Sequence, residues 1–243
     1  MFTKAFVIEF LGLPGSGKST LSHRVAQMLR EIGVPVEEPT YTLTHMPSPW
    51  IRLFKKGLRV GWGALCMPRC ASILTRAVIS SHPESAAVML VNLLFVATLV
   101  RKPRRGPTIA ILDQGVFQAV WSIGFRGDER AITRCVAALV GCDLLPSAVV
   151  AMDVPVDVVR NRLSQRSGAA SALEKTGIDD ASWQRAASVY EQIKEALYGL
   201  VSQGEPLHIL RISNAHGDIE TNARQVASEI CTICNFKCVT EEE

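Results

Sequence analysis

The sequence predicts an α/β fold, a three-layer sandwich with a five-stranded parallel sheet at its centre. Five short apolar runs recur along the 243 residues, bounded by glycine or proline, and stretches with apolar residues at helical spacing separate them. The inner runs are continuous rather than alternating, as strands covered on both faces are. Strand and helix in alternation lead to a parallel sheet with helices on both sides. At 48% hydrophobic and 20% charged, the chain has enough apolar mass for a sizeable core, which excludes intrinsic disorder. One domain over residues 1–243 is the expectation.

Ala5 to Leu11 is the first strand, and Ser19 to Ile32 is a helix with Leu21, Val25, Met28, Leu29 and Ile32 on one face. Gly33 stops it, and Val34 to Val36 form a short strand that runs into Glu37-Glu38-Pro39. Residues 41–101 read as a helical insertion beside the sheet. Its most apolar part, Ala86 to Val100, has 15 residues and contains Asn92. Spanning a bilayer takes about 20 apolar residues, so this is a buried helix. Strands follow at Thr108 to Leu112, Ala148 to Met152 and Leu207 to Ile212, with helices at Ala131 to Val140, Asp157 to Gln165, Ala181 to Val201 and Ile219 to Ile230. The loop-like stretch from Gln165 to Asp179, with Gly168 and Gly177, is assigned to a lid over about 160–180.

The strongest local signal is Gly12-Leu13-Pro14-Gly15-Ser16-Gly17-Lys18-Ser19, which matches G-x-x-x-x-G-K-[ST] between a strand and a helix. Glycines let the chain curl until successive N–H groups face phosphate oxygens, and the positive end of the helix dipole favours the same anion. Lys18 reaches for the β- and γ-phosphates, and the Ser19 hydroxyl suits a Mg²⁺ shell. Asp113 ends a buried strand, where an open α/β sheet places its ligands, and is a candidate for the metal shell or for acting on the acceptor. Asp153 ends another strand in the same way, although either aspartate could be only a helix N-cap.

On these residues the chain resembles the phosphate-loop nucleoside and nucleotide kinases of the thymidylate kinase and deoxynucleoside kinase type. Gly12 to Thr20 (Gly12, Pro14, Gly15, Ser16, Gly17, Lys18, Ser19, Thr20) looks like their phosphate loop, and Glu38-Pro39 like their Glu-Pro motif. The resemblance implies that Glu38 contacts the acceptor or acts as base. It also implies that Arg162 and Arg166 are lid arginines on the transferring phosphoryl group, and that 213–217 lie where the adenine packs. Arg160 is one residue off their face. ATP and Mg²⁺ are the implied cofactors. One departure stands out: the family's Asp-Arg is Asp113-Gln114 here. Arg52, Arg59 and Arg76 are available to replace the missing charge, and Tyr41 and Trp50 to wall an acceptor pocket.

The net charge of +3 conceals a contrast. Between Ser48 and Gly106 ten basic residues face one acid, Glu84, a local balance of +9 against −6 for the rest. An anionic acceptor, a nucleic-acid surface, a membrane-surface helix with Trp50, Leu53, Leu58 and Trp62, and a plain solvated face all fit that excess. A polynucleotide partner calls for more interleaved aromatics than Trp50, Phe54 and Trp62, and ranks below a small acceptor. Seven cysteines with no export signal in Met1 to Phe10 fit a reducing, cytoplasmic setting. Cys231, Cys234 and Cys238, with His208 or His216 as a fourth ligand, have metal-like spacing, but free thiols fit a lone Cys-x-x-Cys better. Cys66 and Cys70 suit packing within one helix.

The expected function is transfer of the ATP γ-phosphoryl group to a small nucleoside, nucleotide or nucleoside-like acceptor, with a homodimer as the candidate assembly. A hydroxyl phosphotransferase acting on an antibiotic or sugar is the alternative. From another class come a phosphate-loop ATPase and a nucleic-acid-binding protein. A guanine-specific switch is disfavoured, because the chain lacks Asn-Lys-x-Asp.

Overall fold

The computed structural model describes residues 6–101, 108–165, 179–213 and 218–236. The strands are β1 (Phe6–Leu11), β2 (Val36–Glu37), β3 (Ile109–Leu112), β4 (Ala148–Asp153) and β5 (His208–Ser213). They form one parallel sheet in the order β2-β3-β1-β4-β5. Ile8 stands opposite Ile111 on one side of β1, and Leu11 opposite Ala151 on the other. The α/β fold with a five-stranded parallel sheet is therefore as the sequence predicts. β3 and β4 are buried almost throughout, whereas β5 alternates because it is an edge strand.

The helices are α1 (Lys18–Glu31), α2 (Pro39–Thr44), α3 (Pro49–Cys66), α4 (Pro68–Ile79), α5 (Ala86–Arg101), α6 (Val116–Arg126), α7 (Ala131–Gly141), α8 (Val156–Ser164), α9 (Asp180–Ser202) and α10 (Ile219–Ile233). Two cores divide along the strands, because alternate residues point to opposite faces. Ile8, Phe10, Ile111 and Val150 pack with α1 and α10, while Val7, Leu11, Leu112 and Val149 pack with α4 to α9. This is the three-layer arrangement. Helix α6 lies in a stretch that the sequence reading passed over, although Val116, Val120 and Ile123 carry helical spacing.

The insertion is mostly helical, as predicted, with short breaks between its helices. Three of its helices begin with a proline whose fixed φ suits a first turn. Met67-Pro68 breaks the segment between α3 and α4, so Cys66 and Cys70 do not share a helix, and Cys66 is exposed rather than packed. Helix α5 lies between α3, α4 and α6. It buries Leu93, Phe95 and Leu99, and no helix among the described residues is long and apolar enough to cross a membrane.

Candidate functional site

The switch point of the sheet lies between β1 and β3. The chain leaves β1 into α1 on one face and leaves β3 into α6 on the other, which opens a crevice at the strand ends. The glycine-rich loop turns there. Gly15 and Gly17 have φ of +86° and +91°, the left-handed region that glycine enters without strain. A Cβ on Gly15 would press on Leu163 of α8, so that helix lies against the loop. The Lys18 ammonium donates to the carbonyl oxygens of Gly12 and Leu13 at 2.7 and 2.8 Å, folded over its own loop.

Across the crevice the Ser19 hydroxyl donates to Asp113 Oδ2 at 2.8 Å. The Asp113 backbone N–H donates to Thr40 Oγ1 at 3.1 Å, which ties the strand end to α2. Asp113 is 2% exposed, and its Oδ1 has no hydrogen-bond partner among the described residues. A buried carboxylate oxygen without a donor calls for an outside cation. Hard oxygen donors on a serine and an aspartate suit Mg²⁺, which takes few protein ligands and completes its shell with water and phosphate.

Asp153 differs. It is held by Lys194 at 2.9 Å and by the Arg211 guanidinium at 3.0 and 2.8 Å. Burial alone would raise its carboxyl, but these two cations outweigh that and hold it below the ordinary carboxylate range. It is an ion-paired group rather than a helix cap, since Pro155 holds the N-cap position of α8. Asp153, Leu13, Tyr190, Arg211 and Ser213 border a cavity of about 450 Å³ beside the loop.

Glu38 is buried, which excludes an exposed strand end. Its Oε1 accepts from His23 Nδ1 at 2.9 Å and its Oε2 pairs with Arg30 at 2.7 Å, both from α1. Tyr41 stacks on His23 with centroids 4.2 Å apart and contacts His45, so it is part of this cluster instead of a pocket wall. Trp50 is 79% exposed and is not in the lining of the cavities beside Glu38 and Asp113. The cavity that does adjoin Asp113 encloses about 390 Å³ between α2, α3, α5 and α6. Arg52, Lys56, Asn92, Gln114 and Gln118 give it its polar groups, and Phe95 and Leu53 its apolar ones. Arg59 borders a neighbouring cavity with Glu38, while Arg76 borders none of these three.

Arg162 is half-buried on α8, next to Leu163, and Arg160 pairs with Asp180 at 2.7 Å. Arg166, most of the lid, residues 214–217 and Cys238 lie outside the described residues. Cys231 and Cys234 are buried between α1 and α10 and are in no disulfide, and burial pushes Cys234 up to about 12. Among the described residues no cluster of three or more His, Cys, Asp or Glu could hold a metal ion.

The sequence reading missed Glu9. This carboxylate is fully buried in the middle of β1, and burial raises its pKa to about 7. Its Oε1 accepts from the Gln118 N–H at 2.7 Å, and backbone donors at the start of α6 offset part of the rise. A Cβ on Gly115 would collide with this carboxylate, so glycine at that position is a matter of space. The one available sign was a charged residue inside an apolar strand.

No family model matches the chain. The chain is similar to the thymidylate kinase of Syntrophus aciditrophicus (strain SB), with 25% identity over 237 residues that cover 93% of this chain and 94% of that protein. The resemblance to the phosphate-loop nucleoside and nucleotide kinases extends over nearly the whole sequence, and the parallel five-stranded sheet agrees with it.

Proposed function

We propose that the whole chain is one catalytic domain that transfers the γ-phosphoryl group of ATP, with Mg²⁺, to a small nucleoside, nucleotide or nucleoside-like acceptor. The contact between Ser19 and Asp113 carries this reading, because it joins the phosphate loop to a strand-end carboxylate with an open coordination position beside a polar cavity. The similarity to a thymidylate kinase over most of both chains supports the reaction class.

Phosphoryl transfer depends chiefly on positioning and charge neutralisation. The loop N–H groups between Gly12 and Thr20, Pro14 excepted, cradle the donor phosphates. Lys18 exchanges its two loop carbonyls for phosphate oxygens, so its charge is spent on the nucleotide only when one is bound. Ser19 and Asp113 would hold Mg²⁺, which supplies charge neutralisation across the donor phosphates. By the family resemblance Arg162 and Arg166 would neutralise charge on the transferring phosphoryl group, and the acceptor enters the cavity bordered by Gln114 and Gln118. Glu38, with both oxygens engaged, acts as a positioning residue that locks the end of β2 to α1. The donor base lies toward Tyr190 and Ser213.

The exposed apolar side of α3 is the proposed homodimer face, and the lack of a disulfide among the described cysteines fits a reducing, cytoplasmic setting. Incubation of a nucleoside, nucleotide, sugar and aminoglycoside panel with ATP·Mg²⁺, read by mass spectrometry, tests the reaction. Phosphorylation of a nucleoside-like compound is expected. Phosphorylation of sugars or antibiotics alone would shift the acceptor class, and ATP hydrolysis with no phosphorylated product would overturn the transferase reading.

A further inference from the structure

Helix α3 is amphipathic in the reverse sense. Trp50, Phe54, Leu58, Trp62 and Leu65 face solvent, each between 66% and 79% exposed. Arg52 and Lys56, one turn apart, face inward and line the cavity of about 390 Å³ beside Asp113. A helix that turns two half-buried cations inward and exposes tryptophan needs a reason, because withdrawing a charge from water is costly unless it is paired.

Among the described residues no carboxylate pairs with either cation. The cavity lining contains two cations and no carboxylate. Lys56 donates to the Asn92 side-chain oxygen and lies 5.4 Å from the centre of the Phe95 ring. Arg52 donates to the Thr44 carbonyl at 3.2 Å. These acceptors satisfy hydrogen bonds and leave the charge uncompensated. Burial, and then the Arg52 charge, push the Lys56 ammonium below its ordinary value. Like charges one helical turn apart are mutually unfavourable, and a bound anion removes the penalty through charge-assisted hydrogen bonds to both.

We propose that Arg52 and Lys56, steadied by Asn92, form an anion subsite that takes a phosphate or carboxylate group of the acceptor. Calling the ligand an acceptor rests on the kinase reading; the subsite itself rests on the cavity. Gln114 and Gln118 add neutral donors and acceptors, so the same space handles one charged group and one polar body. Selectivity between anionic and neutral forms of a compound then resides in α3.

Calorimetry tests this with inorganic phosphate, and separately acetate, titrated into the full chain whose phosphate loop is filled with a non-hydrolysable ATP analogue and Mg²⁺. Wild type is expected to show one saturable anion site, with phosphate or acetate as the tighter probe naming the group. Arg52→Gln and Lys56→Met should each weaken it by about ten-fold or more, the loss of a charge-assisted hydrogen bond. Lys56→Arg should retain most of the binding, and Arg69→Gln, exposed and outside the cavity, should leave it unchanged. Circular dichroism melts establish that each variant is folded. Equal binding by wild type and the charge-removing variants, or no saturable anion site in wild type, would overturn the subsite. Anion binding that follows this pattern in a protein that phosphorylates nothing overturns the kinase reading and keeps the subsite.

Discussion

The Ser19 hydroxyl and the Asp113 carboxylate meet at 2.8 Å, although 94 positions separate them in the chain. The crossover order of the sheet brings them together, since β1 and β3 are neighbours whose connections leave toward opposite faces. Asp113→Asn keeps an oxygen for Ser19 and removes the charge that a metal requires. Turnover should fall by about 100-fold or more, with little change in melting temperature. Steady-state assays against Mg²⁺ concentration check this, and wild-type turnover in the variant would remove Asp113 from the site.

Lys18 is stored on two carbonyls of its own loop. Replacement by alanine should abolish transfer, with a circular dichroism melt to establish that the variant is folded. A Lys18→Ala enzyme with normal kcat would contradict the loop assignment.

Glu9 makes stability depend on pH. Its ordinary value of 4.5 is raised to about 7 by burial. Below 4.5 both folded and unfolded forms hold the proton, and the group contributes nothing. Between these values only the folded form keeps it, so stability falls as pH rises, by up to about 3 kcal/mol, and stays lowered above 7. Glu9→Gln keeps an oxygen for the Gln118 N–H and cannot ionise. Urea denaturation should therefore show the variant gaining on wild type between pH 5 and pH 8. Parallel curves would disprove the buried-acid account.

Glu38 ties β2 to α1 through His23 and Arg30, whose own side chains are 31% and 41% exposed. Solvent at those partners limits the loss, so Glu38→Ala should cost about 1–2 kcal/mol in denaturant unfolding. Glu38→Gln should retain most of kcat/KM if the residue only positions. A loss of several hundred-fold with an unchanged fold would instead make Glu38 the base.

Leu58 lies in the middle of the exposed stripe of α3, 66% exposed. Leu58→Glu should convert a dimer to a monomer in light scattering coupled to size exclusion. A wild-type chain that is monomeric at high concentration would refute the dimer face.

Most elements and their order, α6 excepted, were legible because the information is local. The phosphate loop is read from eight consecutive residues, and β3 and β4 from continuous apolar runs bounded by Pro107 and Pro146. Strand ends shifted by a residue or two, as where Val34 to Val36 became Val36–Glu37. The candidate site was legible in part: the loop and Asp113 stood out, whereas the occupied state of Glu38, the ion pairs of Asp153 and the buried Glu9 did not. Each depends on partners far away in the chain.

The insertion shows where the division falls. Its composition determined that it is helical and strongly basic, since helical spacing and net charge are sums over neighbours in sequence. Which side of α3 faces inward was decided only by the fold. Apolar periodicity alone would bury Trp50, Phe54 and Leu58, yet the packing of α3 against α5 turns Arg52 and Lys56 toward the cavity. A helix has no inside until its neighbours are placed. The alternation of strands and helices thus determined an α/β framework with a phosphate loop, and tertiary packing decided where the charges of its insertion are directed.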